Sequence, residues 1–363
     1  MNLFTLPVRV MIGDVIEQLS DITRKRLLII CDRFLVDTPN LKAIVSSLSA
    51  NNHVDIFSDV TPDPSVQDVA AAIHTLATVR PDTLIAYGGG SAIDLAKAVK
   101  YFAQQSGLGT CSFIAIPTTS GTGSEVTSAT VISIPELNKK IPLFHEALLP
   151  DRAILDANLT LTVPPQVTLF TGLDVLTHAI EAMVSINACH FSDALAEKAA
   201  SLVFTWLSTA VHEPGNLDAR HGLHTAASLA GMAFNHAGLG LTHAIAHQLG
   251  AFFHLPHGQA NALALIPVIR FNRQSVKARN GYARLARSLG LTGCKSAEQH
   301  GVDLLISAIE GLFRQLSYSP ELLATGKNDC IHVMAEAVLN DVTLRTNPVQ
   351  PDQQMVESII RAL

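Results

Sequence analysis

Charge is scarce in this sequence. Asp, Glu, Lys and Arg supply 15% of its 363 residues, against about 25% in an ordinary globular domain. Lys and Arg number 25 against 31 Asp and Glu, and the formal net charge is −6. Nucleic acid and anionic membrane surfaces both require basic clusters, so neither is expected as a partner. No uninterrupted apolar run approaches the roughly 18 residues of a spanning helix, so no membrane span is expected. The opening stretch, MNLFTLPVRVMIGD, lacks a basic start and is broken by Pro7 and Arg9. It reads as a first strand and not as a signal peptide. Cysteine is sparse and odd in number, with Cys31, Cys111, Cys189, Cys294 and Cys330 far apart and no CxxC pair. That inventory predicts a reduced, cytoplasmic protein without a disulfide framework. Repeats and low-complexity tracts are absent.

What the sequence has is apolar material, 48% of its residues. The length suits two domains better than one. Arg26–Cys31, His53–Ser58, Thr83–Tyr87, Ser112–Ile116 and Ala153–Leu155 are short, branched and apolar on both faces, as buried parallel strands are. Helical patterns over Ser65–Val79 and Ala92–Gln105 separate them. From Thr160 onward the β signal disappears, and segments from Val167–Ser185 to His332–Leu339 show helical spacing. The reading is an α/β, Rossmann-like domain over residues 1–160, then an all-α domain over residues 161–363, joined by DANLTLTVPP.

Two glycine- and hydroxyl-rich loops follow strands. Gly88-Gly89-Gly90-Ser91 lies between Leu84–Tyr87 and a helix, and Thr118, Thr119 and Thr122 lie in PTTSGTGSE after Ile116. Glycines let a backbone approach phosphate, and a helix N-terminus offers free N–H groups to it. Ser91 and Asp94 have the spacing of a capping box. Asp32 ends a third strand, where an acid accepts hydrogen bonds from ribose hydroxyls and repels a 2′-phosphate. Together these predict a dinucleotide site favouring NAD(H) over NADP(H). Each loop taken alone reads equally well as a tight turn.

Histidine is crowded: of 15, ten fall between His178 and His257. Asp174 and His178 stand at i and i+4 in TGLDVLTHAIEAM, His243 and His247 repeat that spacing in GLTHAIAHQLG, and His257 follows Pro256. HAIAH lacks the glutamate of HExxH, which excludes a zincin-type protease. No cysteine joins the group, which excludes a Cys/His zinc site. Asp174 with two or three imidazoles suits Fe²⁺ or Zn²⁺. His190, His212, His221, His224 and His236 need no such explanation.

GGGSAIDLAKAV, IPTTSGTGSEVTSATVIS, TGLDVLTHAIEA and GLGLTHAIAHQLGAFFHLPHGQANA resemble the signatures of the iron-containing (group III) alcohol dehydrogenases, and the resemblance runs in order through LNDVTLRTNP. TPDPSVQDV, FSDALAEKAA and DVTLRTNP resemble the branch that serves bacterial 1,2-propanediol utilisation. The resemblance implies an active site between the two domains. It implies Asp174, His178, His243 and His257 as ligands of Fe²⁺, with Zn²⁺ as the alternative ion, and His247 beside them as a proton relay. For NAD(H) it implies the residues of both loops and Lys140; for the substrate pocket it implies Phe234. Propanal and 1-propanol, a homodimer, and shell or enzyme partners inside a bacterial microcompartment are further implications. Asp63 replaces the family's Asn beside the adenosine, and Val349 replaces a frequent Arg after Asn347-Pro348. Competing readings are an ethanol, 1,3-propanediol or lactaldehyde enzyme of the family, a non-redox enzyme like the dehydroquinate synthases, and a scaffolding protein that has lost activity. A dehydroquinate synthase binds a polyanion and needs Lys and Arg, which the helical blocks here nearly lack.

Overall fold

A computed structural model of the chain describes residues 4–137, 139–293, 296–320 and 327–363. Cys294 lies outside them; the other four cysteines are free thiols. The chain divides into two compact units, one from Thr5 to Val163 and one from Pro164 to Leu363, which Phe4 joins.

The first unit is built on β1 (Arg9–Ile12), α1 (Val15–Gln18), β2 (Arg26–Asp32), α2 (Pro39–Ser49), β3 (His53–Val60), α3 (Val66–Val79), β4 (Thr83–Gly88), α4 (Gly90–Gln105), β5 (Ser112–Pro117), β6 (Ala129–Ile134), β7 (Lys139–Phe144) and β8 (Arg152–Leu155). Six strands form one sheet in the order β1-β8-β5-β4-β2-β3, and every pairing in it is parallel. Alternate residues serve opposite faces. Leu28, Ile30, Leu84, Ala86, Phe113 and Ala115 pack with α3 and α4. Leu27, Ile29, Cys31, Ile85, Tyr87, Ile114 and Ile116 pack with α1 and α2 on the other side. Both faces are covered, which is why these strands read as continuous apolar runs. From β2 the chain steps outward to the edge strand β3 and returns to β4 on the other side of β2. The crevice at the carboxyl ends of β2 and β4 is therefore a topological switch point, where open α/β sheets bind ligands. β6 and β7 form a separate antiparallel hairpin.

The second unit holds α5 (Pro165–Val184), α6 (His190–His212), α7 (Leu217–Ala237), α8 (Leu241–Phe253), α9 (His257–Asn272), α10 (Val276–Ser288), α11 (Glu298–Gln315), α12 (Lys327–Leu339) and α13 (Gln353–Arg361). α5 packs against α6, α7 and α9 and is apolar on nearly every side, as a central helix must be. By length and composition alone it could cross a membrane, although polar residues interrupt its apolar run. Of its most apolar window, 78% is buried against protein, and Asp174, His178 and Glu181 are buried with it. It is the core helix of this unit.

Candidate active site

α5 presents Asp174 and His178 one turn apart on one face, with His178 Nε2 3.8 Å from Asp174 Oδ1. His243 lies in the first turn of α8 and His257 opens α9 behind Pro256. Their Nε2 atoms lie 3.7 and 3.6 Å from the same Asp174 oxygen. One donor atom from each of the four residues falls within 4.8 Å of all the others. Asp174, His178 and His243 are buried, whereas the His257 side chain is 43% exposed and marks the open end of the centre.

The imidazoles are held as well as gathered. Glu181, one turn beyond His178, accepts from His243 Nδ1 at 2.6 Å. The proton of His243 is thereby assigned to Nδ1, and Nε2 turns a lone pair inward. Asn261, one turn beyond His257, donates its amide to Asp174 Oδ1 at 2.7 Å and approaches the Nε2 atoms of His243 and His257 at 3.2 and 3.1 Å. The His178 ring stacks on His243 at 4.8 Å and packs at a tilt against Phe234 at 4.5 Å. Burial, reinforced by the neighbouring imidazoles, pushes His243 well below the usual histidine range. Burial opposes the Asp174 charge, but the three facing imidazoles and Asn261 outweigh it and hold this carboxyl low. Burial raises Glu181 to about 7 despite the hydrogen bonds it accepts. A carboxylate and three imidazoles aimed at one point would be costly to bury without a partner. The donor set fits a divalent transition-metal ion.

His247, one turn after His243, points Nδ1 at Asp341 at 2.8 Å and stacks on His257 at 5.5 Å. Asp341 is held at about 2, because the hydrogen bonds from His247 and Thr343 overcome its burial. Among the remaining histidines of the crowded stretch, His190, His212 and His221 are exposed and His236 packs edge-on to Phe4. His224 is buried, and burial pushes it to about 4; it is not part of the cluster. Glu181, Asn261 and Asp341 escaped the reading of the sequence, although Glu181 and Asn261 carry a signal there: each stands three or four residues after a candidate ligand on the same helix.

In the first unit, the two loops lie at the carboxyl ends of β4 and β5 and touch. Thr118 N–H donates to Gly88 O at 3.0 Å. Gly89 and Gly90 sit directly against Thr119 and Thr122. A Cβ on Gly88 would fall 2.5 Å from Asp32 Oδ2, so the glycine is what lets Asp32 lie across the loop. Burial raises the Asp32 carboxyl, partly offset by a hydrogen bond from the Gly89 backbone. α4 starts with Gly89 as its cap residue and no side chain capping it. Its first turn, which includes Ser91, offers N–H groups and a positive dipole end to an anion.

The capping box expected of Ser91 and Asp94 does not form. Asp94 instead takes Ser124 Oγ at 2.5 Å and Val131 N–H at 2.9 Å, and Lys97, also buried, donates to Thr127 and Ala129 O. α4 thus pins the second loop from inside, a stronger use of the carboxylate than a solvent-exposed cap. Asp63 and Lys140 form an exposed ion pair with each other at 2.7 Å.

Two family descriptions cover this chain: "Iron-containing alcohol dehydrogenase" over residues 7–157 and "Fe-containing alcohol dehydrogenase family, C-terminal" over residues 168–363. The 1-propanol dehydrogenase PduQ of Salmonella typhimurium is 48% identical over 370 residues, covering 100% of both chains. An iron-containing alcohol dehydrogenase from Thermococcus thioreducens superposes with a TM-score of 0.90 at 31% identity, covering 99% of each chain. Sulfoacetaldehyde reductase from Bifidobacterium kashiwanohense, solved in complex with NAD+, gives 0.89 at 28% identity, covering 100% of this chain and 98% of that one. With both of its units matched, the chain belongs to the iron-containing alcohol dehydrogenase family and is an oxidoreductase.

Proposed function

We propose that the enzyme interconverts propanal and 1-propanol with NAD(H), at a divalent ion held by Asp174, His178, His243 and His257. The observation that carries this reading is the convergence of those four donor atoms within 4.8 Å along the face of a buried helix. The identity to a 1-propanol dehydrogenase supports the substrate. Asp32 beside the glycine loop supports NAD(H) over NADP(H). Fe²⁺ is the ion proposed; Zn²⁺ binds such donors more tightly by the usual affinity order and competes for the site.

When bound, the ion supplies Lewis acidity and NADH supplies the hydride. The protein's part is to hold and orient both, and to move a proton. Asp174 contributes the one negative charge among the four ligands. Gly88, Gly89, Gly90 and Ser91, with Thr118, Thr119 and Thr122, cradle the pyrophosphate. Lys140 reaches the cofactor only by exchanging its bond to Asp63. His247 carries the proton between the alcohol oxygen and water, its Nδ1 held by Asp341 so that Nε2 is free for the exchange. Phe234, packed on His178, is the apolar wall for the alkyl chain. Glu181, Asn261 and Phe234, which bond to or pack on these ligands, carry no positive charge, which favours a neutral aldehyde over a polyanion.

The branch resemblance and the charge-poor composition further support a homodimer placed within a propanediol-utilisation microcompartment. Steady-state assays with acetaldehyde, propanal and butanal test the proposal. One NADH should be oxidised per aldehyde, with the highest kcat/KM for propanal. Turnover of a polyanionic substrate without net NADH oxidation would overturn it.

A further inference from the structure

We propose that Glu181 is a positioning residue for the metal centre: it sets the tautomer and direction of the His243 ring and anchors the helix that carries it. The inference rests on the ligand set proposed above and adds to it a residue that touches neither the ion nor the substrate.

The geometry is specific. Glu181 is 4% exposed and continues the α5 face that carries Asp174 and His178, so one helix supplies two ligands and the carboxylate that aims a third. Its Oε2 accepts from His243 Nδ1 at 2.6 Å and from Gly240 N–H at 2.9 Å. Its Oε1 accepts from Thr242 N–H at 2.6 Å. Gly240 and Thr242 lie at the N-terminus of α8, where backbone donors otherwise lack partners and where a negative charge is favoured by the helix dipole. The carboxylate therefore holds the ring and the backbone beneath it as one unit. With Nδ1 committed to Glu181, His243 can offer only Nε2, and its ring cannot turn about χ2 without breaking that bond. A carboxylate on the remote nitrogen also makes the ligating nitrogen more basic.

A purely structural role is separable, because the third donor at this helix end has a different partner. Leu241 N–H is accepted by Asn347 Oδ1 at 3.1 Å. Glu181→Gln preserves shape but cannot accept at all three positions. Asn347→Ala loosens the same helix end while leaving the His243 bond intact.

The test is Co²⁺ titration of the full-length chain after metal removal, followed by visible absorption, for wild type, Glu181→Gln, Asn347→Ala and Asp174→Asn, with thermal unfolding of each apoprotein. Glu181→Gln should bind Co²⁺ about 10- to 100-fold more weakly, with altered ligand-field bands. Asn347→Ala should lose thermal stability and keep wild-type affinity. Wild-type affinity and spectrum in Glu181→Gln would overturn the positioning role, as would an equal loss in Asn347→Ala. Wild-type affinity in Asp174→Asn would remove the ligand set itself, and the inference with it.

Discussion

Gly258 follows His257 in the first turn of α9, and its replacement by alanine should disable the centre from behind. On helix propensity alone the change is favourable, by about 1 kcal/mol. Packing reverses the sign. A Cβ on Gly258 would lie 2.0 Å from the carbonyl oxygen of Phe170 and 3.3 Å from Asp174 Cβ. Ordinary contact begins at 3.4 Å, so α9 and α5 would have to separate by about 1.4 Å. The obstacle is backbone, which cannot rotate away. Overpacking of this kind costs about 1–3 kcal/mol, which leaves a net loss of up to about 2 kcal/mol after the propensity gain. The larger effect is on geometry, because α5 carries Asp174 and α9 carries His257. Displacing a reacting group by about 1 Å costs on the order of 100-fold in rate. The assay is kcat/KM for propanal together with bound metal per chain and the urea midpoint. Gly215→Ala, where an added Cβ meets nothing within 4 Å, serves as control and should be silent. Wild-type metal content and kcat/KM in Gly258→Ala would refute the claim that this close approach seats His257.

Other predictions concern the first unit. Asp32→Ser should raise the ratio of kcat/KM for NADPH over NADH by at least about tenfold, since one charge contact is worth about 1.4 kcal/mol or more in a part-buried setting; an unchanged ratio would show that Asp32 does not face the ribose. Burial lowers Lys97 to about 8 from an ordinary 10.5. The folded state therefore disfavours its proton, and stability due to this group rises as pH goes from about 8 to 10.5, by up to about 3 kcal/mol. Denaturant unfolding of wild type minus Lys97→Met should show that rise. A flat difference would mean that Lys97 keeps its proton easily.

Much of this was legible in the sequence, and the exceptions have physical causes. The strands of the central sheet are short runs of branched apolar residues, and they appear where those runs lie, extended by a residue or two into Asp32, Val60, Gly88 and Pro117. The hairpin of β6 and β7 was not foreseen. Val131, Ile141 and Phe144 are exposed there, so burial imposes no clean alternation to read. α2 and α13 were also missed; both are short, and Thr38 and Asp352 cap them with side chains that look like ordinary turn residues. At the centre, DxxxH and HxxxH spacing could be read because each pair shares a helix face. The Glu181 bond to His243 spans 62 residues and the Asp341 bond to His247 spans 94. Local periodicity carries no information about which carboxylate, that far along the chain, will meet an imidazole. Asp94 shows the converse error: its spacing from Ser91 fits a local cap, and a tertiary partner took it.

The central claim is that four side chains hold one ion on which aldehyde reduction depends. Its most direct test is metal quantitation on anaerobically purified wild type and His257→Ala, paired with NADH-dependent propanal reduction by the same preparations. His257 is the most exposed of the four ligands, so its loss should leave the fold intact. Wild type should carry about one divalent ion per chain, as a single four-donor site implies. His257→Ala should lose most of that ion and, with it, most of its propanal reduction. Full metal content with full activity in His257→Ala would contradict the account.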